Sequence, residues 1–270
     1  MKFAGKSVVI TGGATGIGLA LATEIGSRGG RITLFEPRRD VLADAVAGLK
    51  AKGIPALGFA GDVTDRSSLE ALADFAWDQA GPVDAVIANA GVGGLHQSVL
   101  DFDLEAARGL MEVNYWGVWQ TLQVFGQRFR DAGRASALYA TASENSLFNA
   151  YPFGGGAYVA SKHAVFGLMD MLRREAPAHI ETGVIIPGWT ATPMTRGKGM
   201  PADAFATRIV DQMEAGAYYL VGHSYNAVRM EERWGEVREA FAQWAPREEN
   251  DDQYDVRLFF ERRAVEKAKG

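Results

Sequence analysis

Tyr158 and Lys162 lie four residues apart at the start of an apolar stretch with helical periodicity, so a phenol and an amine share one helix face. A free phenol has a pKa of about 10 and keeps its proton at neutral pH. A neighbouring cation favours the phenolate, which can then take a proton from a hydroxyl placed against it. The bland alternative is a core tyrosine beside a surface lysine. Two companions favour chemistry: Ser143 stands just past the strand Leu138-Tyr139-Ala140-Thr141, and a glycine-rich turn lies near the start of the chain.

That turn must position whatever the phenol works on. Val8-Val9-Ile10 reads as a strand buried on both faces. It breaks into Thr11-Gly12-Gly13-Ala14-Thr15-Gly16-Ile17-Gly18, then resumes as a helix through Leu19, Leu21 and Ile25. Gly12, Gly16 and Gly18 allow a sharp turn, close approach to a pyrophosphate and tight packing of helix on strand. The helix start offers unpaired N–H groups to phosphates, so Gly12, Thr15, Gly16, Ile17 and Gly18 are the expected cofactor-binding residues of the turn.

Glu36 ends the second strand, 18 positions beyond Gly18. A carboxylate there accepts from the adenosine ribose hydroxyls and repels a 2′-phosphate, which predicts NAD ahead of NADP. Arg38-Arg39 just after it offers the opposite pairing, with a phosphate. Asp62-Val63 follows the third strand: Asp62 either caps the helix starting near Ser67-Ser68 or receives the adenine amino group. Asn89-Ala90-Gly91 follows the fourth strand, where small residues suit a backbone running close to a ligand, and Asn89 can tie that loop to neighbouring strands.

Strands and helices alternate with short connections throughout. This predicts an α/β fold with a Rossmann-type doubly wound parallel sheet in three layers. Helices are expected at about 41–52, 68–79, 104–131 and 157–175. The third of these is read as one long apolar helix with Asn114 inside it, where a buried amide needs partners.

Composition excludes several classes. The 47% hydrophobic content argues against disorder, and a net charge of −5 without a basic run argues against nucleic-acid binding. No apolar stretch approaches the ~20 residues that span a bilayer. Met1-Lys2-Phe3-Ala4-Gly5-Lys6 runs straight into a strand and leaves no room for a signal peptide, so a cytoplasmic protein is expected. There are no cysteines, and His96, His163, His179 and His223 are scattered without ligand spacing, so no metal site is expected.

Taken in order, Thr11 to Gly18, Asn89-Ala90-Gly91, Asn114, Thr141-Ala142-Ser143, Tyr158-Val159-Ala160-Ser161-Lys162 and Pro187-Gly188 resemble the short-chain dehydrogenase/reductase family over about residues 4 to 222. The resemblance implies a catalytic set of Asn114, Ser143, Tyr158 and Lys162. It also implies cofactor contacts from Asp62, Val63, Asn89, Ala90, Gly91, Tyr158, Lys162, Pro187, Gly188 and Thr190, with Thr192 at the nicotinamide carboxamide. Tyr158 would act as general base or acid, Ser143 would hold the substrate oxygen, and Asn114 would position a water relaying protons from Lys162.

Two features depart from the family. Ser143 and Tyr158 are 15 positions apart, a longer gap than usual, which makes Ser146 a rival for the serine role. After Ala217-Tyr218-Tyr219-Leu220-Val221 a helical extension, 223–270, replaces the usual short finish, packed on the domain of residues 1–222 or on a neighbouring subunit. The segment after Gly188, to about Ala204, reads as a substrate loop. Trp189, Met194, Phe148, Tyr151, Phe153, Leu95 and His96 are candidate wall residues for a hydrophobic secondary alcohol, aromatic or aliphatic, or its ketone. Tail and loop are similar to those of bacterial dehydrogenases acting on lignin-derived aryl alcohols. The expected activity is NAD-dependent oxidation of such an alcohol. An NADPH-dependent carbonyl reductase and a non-enzymatic dinucleotide sensor are the alternatives. The apolar helices at 104–131 and 157–175 imply a homodimer or homotetramer.

Overall fold

The computed structural model describes residues 1–93, 97–151 and 153–267. Leu95 and His96, expected in the substrate wall, lie outside the described residues. The chain divides into two compact units, Met1–Asn226 and Ala227–Gly270.

The first unit opens with β1 (Ser7–Thr11), α1 (Gly16–Ser27), β2 (Arg31–Glu36), α2 (Arg39–Ala51), β3 (Ala56–Ala60) and α3 (Arg66–Ala80). The chain then returns to the other side of β1 as β4 (Ala85–Ala88). Next come α4 (Leu104–Met111), α5 (Val118–Ala132), β5 (Ser136–Thr141), α6 (Gly156–Glu175) and β6 (Ile180–Ile186). Short strands β7 (Thr190–Ala191) and β8 (Met200–Pro201) precede α7 (Ala202–Glu214) and β9 (Tyr219–Val221). Among the described residues the main sheet has seven parallel strands in the order β3-β2-β1-β4-β5-β6-β9. The reversal of strand order between β1 and β4 opens a crevice at their carboxyl ends, where ligands bind in such sheets.

Strand alternation explains the three layers. Val8 and Ile10 of β1 point to one face, into a core with Leu21 and Ile25 of α1, Leu49 of α2 and Phe205, Ile209 and Met213 of α7. Val9 points to the other, with Leu69 and Leu72 of α3, Phe125 and Phe129 of α5 and Val165 and Met169 of α6. Both faces are therefore covered, which is why β1 reads as an unbroken apolar run. No described helix is long and apolar enough to cross a membrane.

Three details differ from expectation. The stretch read as one helix is broken: a π-helical turn, Glu112–Gly117, separates α4 from α5. Gly117 permits close packing there, since a Cβ on it would stand 2.6 Å from Val63 Cγ2. Asp65, not Asp62, caps α3, accepting from Ser67 N at 2.9 Å. Finally, the stretch after Gly188 is partly regular: β7 and β8 pair in parallel, and Thr192 and Thr195 form a reciprocal capping box over a short 3-10 turn.

The second unit holds α8 (Asn226–Trp244), which begins at the last residue of the first unit, then a 3-10 turn at Asp251–Tyr254 and α9 (Val256–Lys267). An Arg247–Asp252 ion pair at 2.5 Å spans the connection.

Candidate active site

The β1–α1 turn is built by exclusion of side chains. Gly12 has φ +60° and Gly16 φ +54°, backbone conformations that favour glycine. A Cβ on Gly12 would lie 2.8 Å from Ala90 Cα, one on Gly16 3.2 Å from Thr192 Cβ, and one on Gly18 2.4 Å from Gly12 O. The turn is thus wedged between the Asn89–Gly91 loop and the Thr192 segment. Thr15 makes no side-chain cap on α1, so the first-turn amides face the crevice without an internal competitor. This donor set fits a diphosphate.

Asn89 joins three strands. Its Nδ2 donates to Thr11 O and Gly12 O, both at 3.2 Å, and its Oδ1 accepts from Thr141 Oγ1 at 3.0 Å. Thr11 Oγ1 accepts from the amides of Asn89 and Ala90 at 3.0 and 3.1 Å. At the far end of the crevice Glu36 is buried, and its carboxylate accepts from Arg38 Nε at 2.5 Å. Asp62 Oδ1 accepts from the amide and the hydroxyl of Thr64, both at 2.9 Å.

Four side chains meet where β5 and α6 face the π-turn. Ser143, Lys162 and Asn114 are buried. Ser143 lies beside the Tyr158 phenol, and its Oγ accepts from Asn145 N at 3.2 Å and Asn145 Nδ2 at 3.3 Å. Lys162 Nζ donates to Thr141 O at 2.9 Å and stands 5.8 Å from the Tyr158 ring centre. The Asn114 amide is held from both sides: Oδ1 accepts from Val92 N at 2.8 Å, while Nδ2 donates to Val92 O at 3.0 Å and Ser161 Oγ at 3.2 Å. Gly91 keeps Asn114 and Lys162 on a common space, since its Cβ would sit 3.3 Å from Asn114 Oδ1 and 3.5 Å from Lys162 Nζ. Ser146 is turned elsewhere and donates to the Lys162 carbonyl at 2.7 Å.

Burial acts on the pair in opposite senses. It lowers the Lys162 ammonium to about 8, which leaves it mostly charged at neutral pH. It pushes the Tyr158 phenol well above its ordinary value, with Tyr151 and Glu144 adding to the rise and the Ser143 hydroxyl opposing it.

The rim comes from Pro187-Gly188-Trp189 and the 3-10 turn. Thr190 Oγ1 donates to Gly188 O at 3.1 Å, and Thr192 Oγ1 accepts from Thr195 N at 3.4 Å. Of the candidate wall residues, Phe148 is buried, Tyr151 packs edge-on to Tyr158 at 6.2 Å, and Trp189, Met194 and Phe153 are exposed. Glu144, His223 and Tyr225 also gather at this rim, although nothing in their spacing marks them in the sequence. Tyr225 OH donates to Glu144 Oε2 at 3.0 Å, and His223 Nδ1 accepts from Gly188 N at 3.1 Å.

The family model described as "short chain dehydrogenase" matches residues 6–201. The 1-deoxy-11-beta-hydroxypentalenate dehydrogenase of Streptomyces avermitilis is 34% identical over 214 residues, 78% of each chain. The enzyme of that name from Streptomyces exfoliatus is 32% identical over 246 residues, 86% of this chain and 88% of that one. A short-chain dehydrogenase/reductase from Burkholderia phymatum, solved in complex with NAD, superposes with a TM-score of 0.83 at 25% identity, over 92% of this chain and 99% of its own. The chain belongs to the short-chain dehydrogenase/reductase family of oxidoreductases, whose fold binds a nicotinamide dinucleotide.

Proposed function

We propose that the protein oxidises a hydrophobic, aromatic secondary alcohol with NAD, or reduces the matching ketone. The observation that carries this reading is the half-buried Tyr158 beside the buried Ser143 and Lys162, next to the glycine turn. When bound, the nicotinamide supplies the hydride acceptor or donor. Tyr158 takes the carbinol proton as general base, or returns it as general acid in the reverse direction. Ser143 holds the substrate oxygen and stabilises its developing charge. Lys162 supplies the cation that offsets the burial penalty on the phenolate, and Asn114 orients a water that carries the proton outward from Lys162. Gly12, Thr15, Gly16, Ile17 and Gly18 cradle the diphosphate, and Asp62, Val63, Asn89, Ala90 and Gly91 line the adenosine and central portions. Pro187, Gly188, Thr190 and Thr192 border the nicotinamide end. Trp189, Met194, Phe148, Tyr151 and Phe153 supply an apolar, aromatic wall.

Glu36 supports NAD, because its carboxylate is buried and already occupies Arg38. A second reading, an NADPH-dependent carbonyl reductase, draws on the half-exposed Arg38 guanidinium, which can turn from Glu36 toward a phosphate. Assaying a panel of secondary alcohols with NAD and with NADP, followed by absorbance of the reduced nicotinamide, tests both. NAD-dependent turnover with kcat/KM about tenfold or more above that with NADP supports the first reading; the reverse preference supports the second. Dinucleotide binding without turnover across the panel contradicts both and favours a non-enzymatic sensor.

A further inference from the structure

Past β9 the chain comes back to the rim of the site at His223. Both nitrogens of this imidazole are engaged: Nδ1 with the amide of Gly188 at 3.1 Å and Nε2 with the carbonyl of Trp189 at 3.2 Å. An amide N–H only donates and a carbonyl only accepts, so the ring fits as the neutral tautomer with its proton on Nε2. Two residues on, Tyr225 OH donates to Glu144 Oε2 at 3.0 Å and lies 3.5 Å from Trp189 N. Glu144 N donates to Pro187 O at 2.7 Å. Each residue of the turn Pro187–Gly188–Trp189 is thereby held by a group from another element. Gly188 fits because it lacks a side chain: a Cβ there would stand 2.7 Å from His223 Cγ and 2.9 Å from Glu144 Oε2.

We propose that neutral His223 is a positioning residue that fixes the Pro187–Trp189 turn against the cofactor cleft, and that protonating it in acid releases the turn and weakens dinucleotide binding. This rests on the reading above, in which Pro187, Gly188, Thr190 and Thr192 border the nicotinamide end. A proton on Nδ1 would set one N–H against the N–H of Gly188, turning an attraction into a repulsion. The ring lies 5.9 Å from Phe205 and 5.8 Å edge-on from Tyr225. The ionisable groups around it are Arg208 of α7, which donates to Gly222 O at 2.8 Å, and Glu144 and Tyr225 across the turn. Burial holds the imidazole below its ordinary value and the charge of Arg208 adds to this, against the pull of the Trp189 carbonyl. The release therefore falls on the acid side of about pH 6.5.

The test uses the full-length protein, with NADH binding followed by its fluorescence from pH 7.5 to 5, in the parent, H223N and H223F. The imidazole tautomer of the cofactor-free parent is read by nitrogen NMR. The expected spectrum is Nε2–H with unprotonated Nδ1, and the parent loses about tenfold in affinity toward pH 5, as expected for losing one hydrogen bond. H223N, whose Oδ1 keeps an acceptor toward Gly188 but does not titrate, is expected to bind with a flat profile. H223F is expected to be about tenfold weaker at every pH. The opposite tautomer overturns the proposal, and so does H223N following the parent's pH profile, which would assign the effect to Glu144. Parent protein that binds neither NADH nor NADPH refutes the dinucleotide reading itself. Parent binding at pH 7.5 with H223F binding equally well refutes this proposal alone.

Discussion

Lys162 carries its charge at pH 7 in a place that penalises charge, since burial lowers its pKa from 10.5 to about 8. The unfolded chain therefore binds the proton more readily between those values, and stability should rise with pH from about 8 to 10.5. Below about pH 8 both states are protonated and the full penalty persists. K162M removes the charge while keeping most of the packing. Thermal melts at pH 7 should show it at least as stable as the parent, with the difference moving in the parent's favour as pH rises toward 10.5. Its turnover should fall by about 10²-fold or more. A variant less stable at pH 7, losing no further ground at high pH, would show that the amine is not held charged against a burial penalty. Tyr158, Lys162 and Ser143 were legible in the sequence because one helical turn and one strand end set their spacing. Glu144, His223 and Tyr225 were not, because their partners lie 81 and 35 positions away and only the sheet order brings them together.

Elements position the site by what they leave out. Gly12 sits at φ +60° with its Cβ direction 2.8 Å from Ala90 Cα, which is backbone and cannot turn aside. G12A should cost about 1–3 kcal/mol from the backbone conformation alone, read as a lower melting temperature, together with a loss of NADH binding. Unchanged binding would mean that the turn does not approach the diphosphate. The glycine turn was legible because its glycines follow a buried strand directly. The π-turn at Glu112–Gly117 was not, because one added residue per turn leaves the apolar pattern from Met111 to Phe129 reading as continuous helix. That turn nevertheless carries Asn114 to Val92 and Ser161. Asp62 and Asp65 show a related difficulty. Both precede Ser67, and the true start of α3 at Arg66 decides which one caps it.

For the whole molecule, the surface of α5 and the preceding π-turn bears on assembly. Trp116 and Trp119 are 44% and 39% exposed and stack on one another at 5.7 Å, a costly arrangement against water. We expect a homodimer or homotetramer built over this face. Light scattering should give a multiple of 29.1 kDa for the parent and a smaller species for W116E/W119E. A parent that runs as a monomer would contradict that assembly. The parallel three-layer sheet followed from the alternating strands and helices, whereas a partner for the extension did not, because its mixed apolar and charged helices satisfy several partners equally. Beneath all of this is one claim, that the Tyr158 phenol moves the substrate proton. Y158F deletes the phenol oxygen and keeps the ring, so it tests the claim directly in the full-length protein. The account predicts that Y158F binds NADH as the parent does while turnover of a secondary alcohol falls by about 10³-fold; turnover near the parental rate would contradict it.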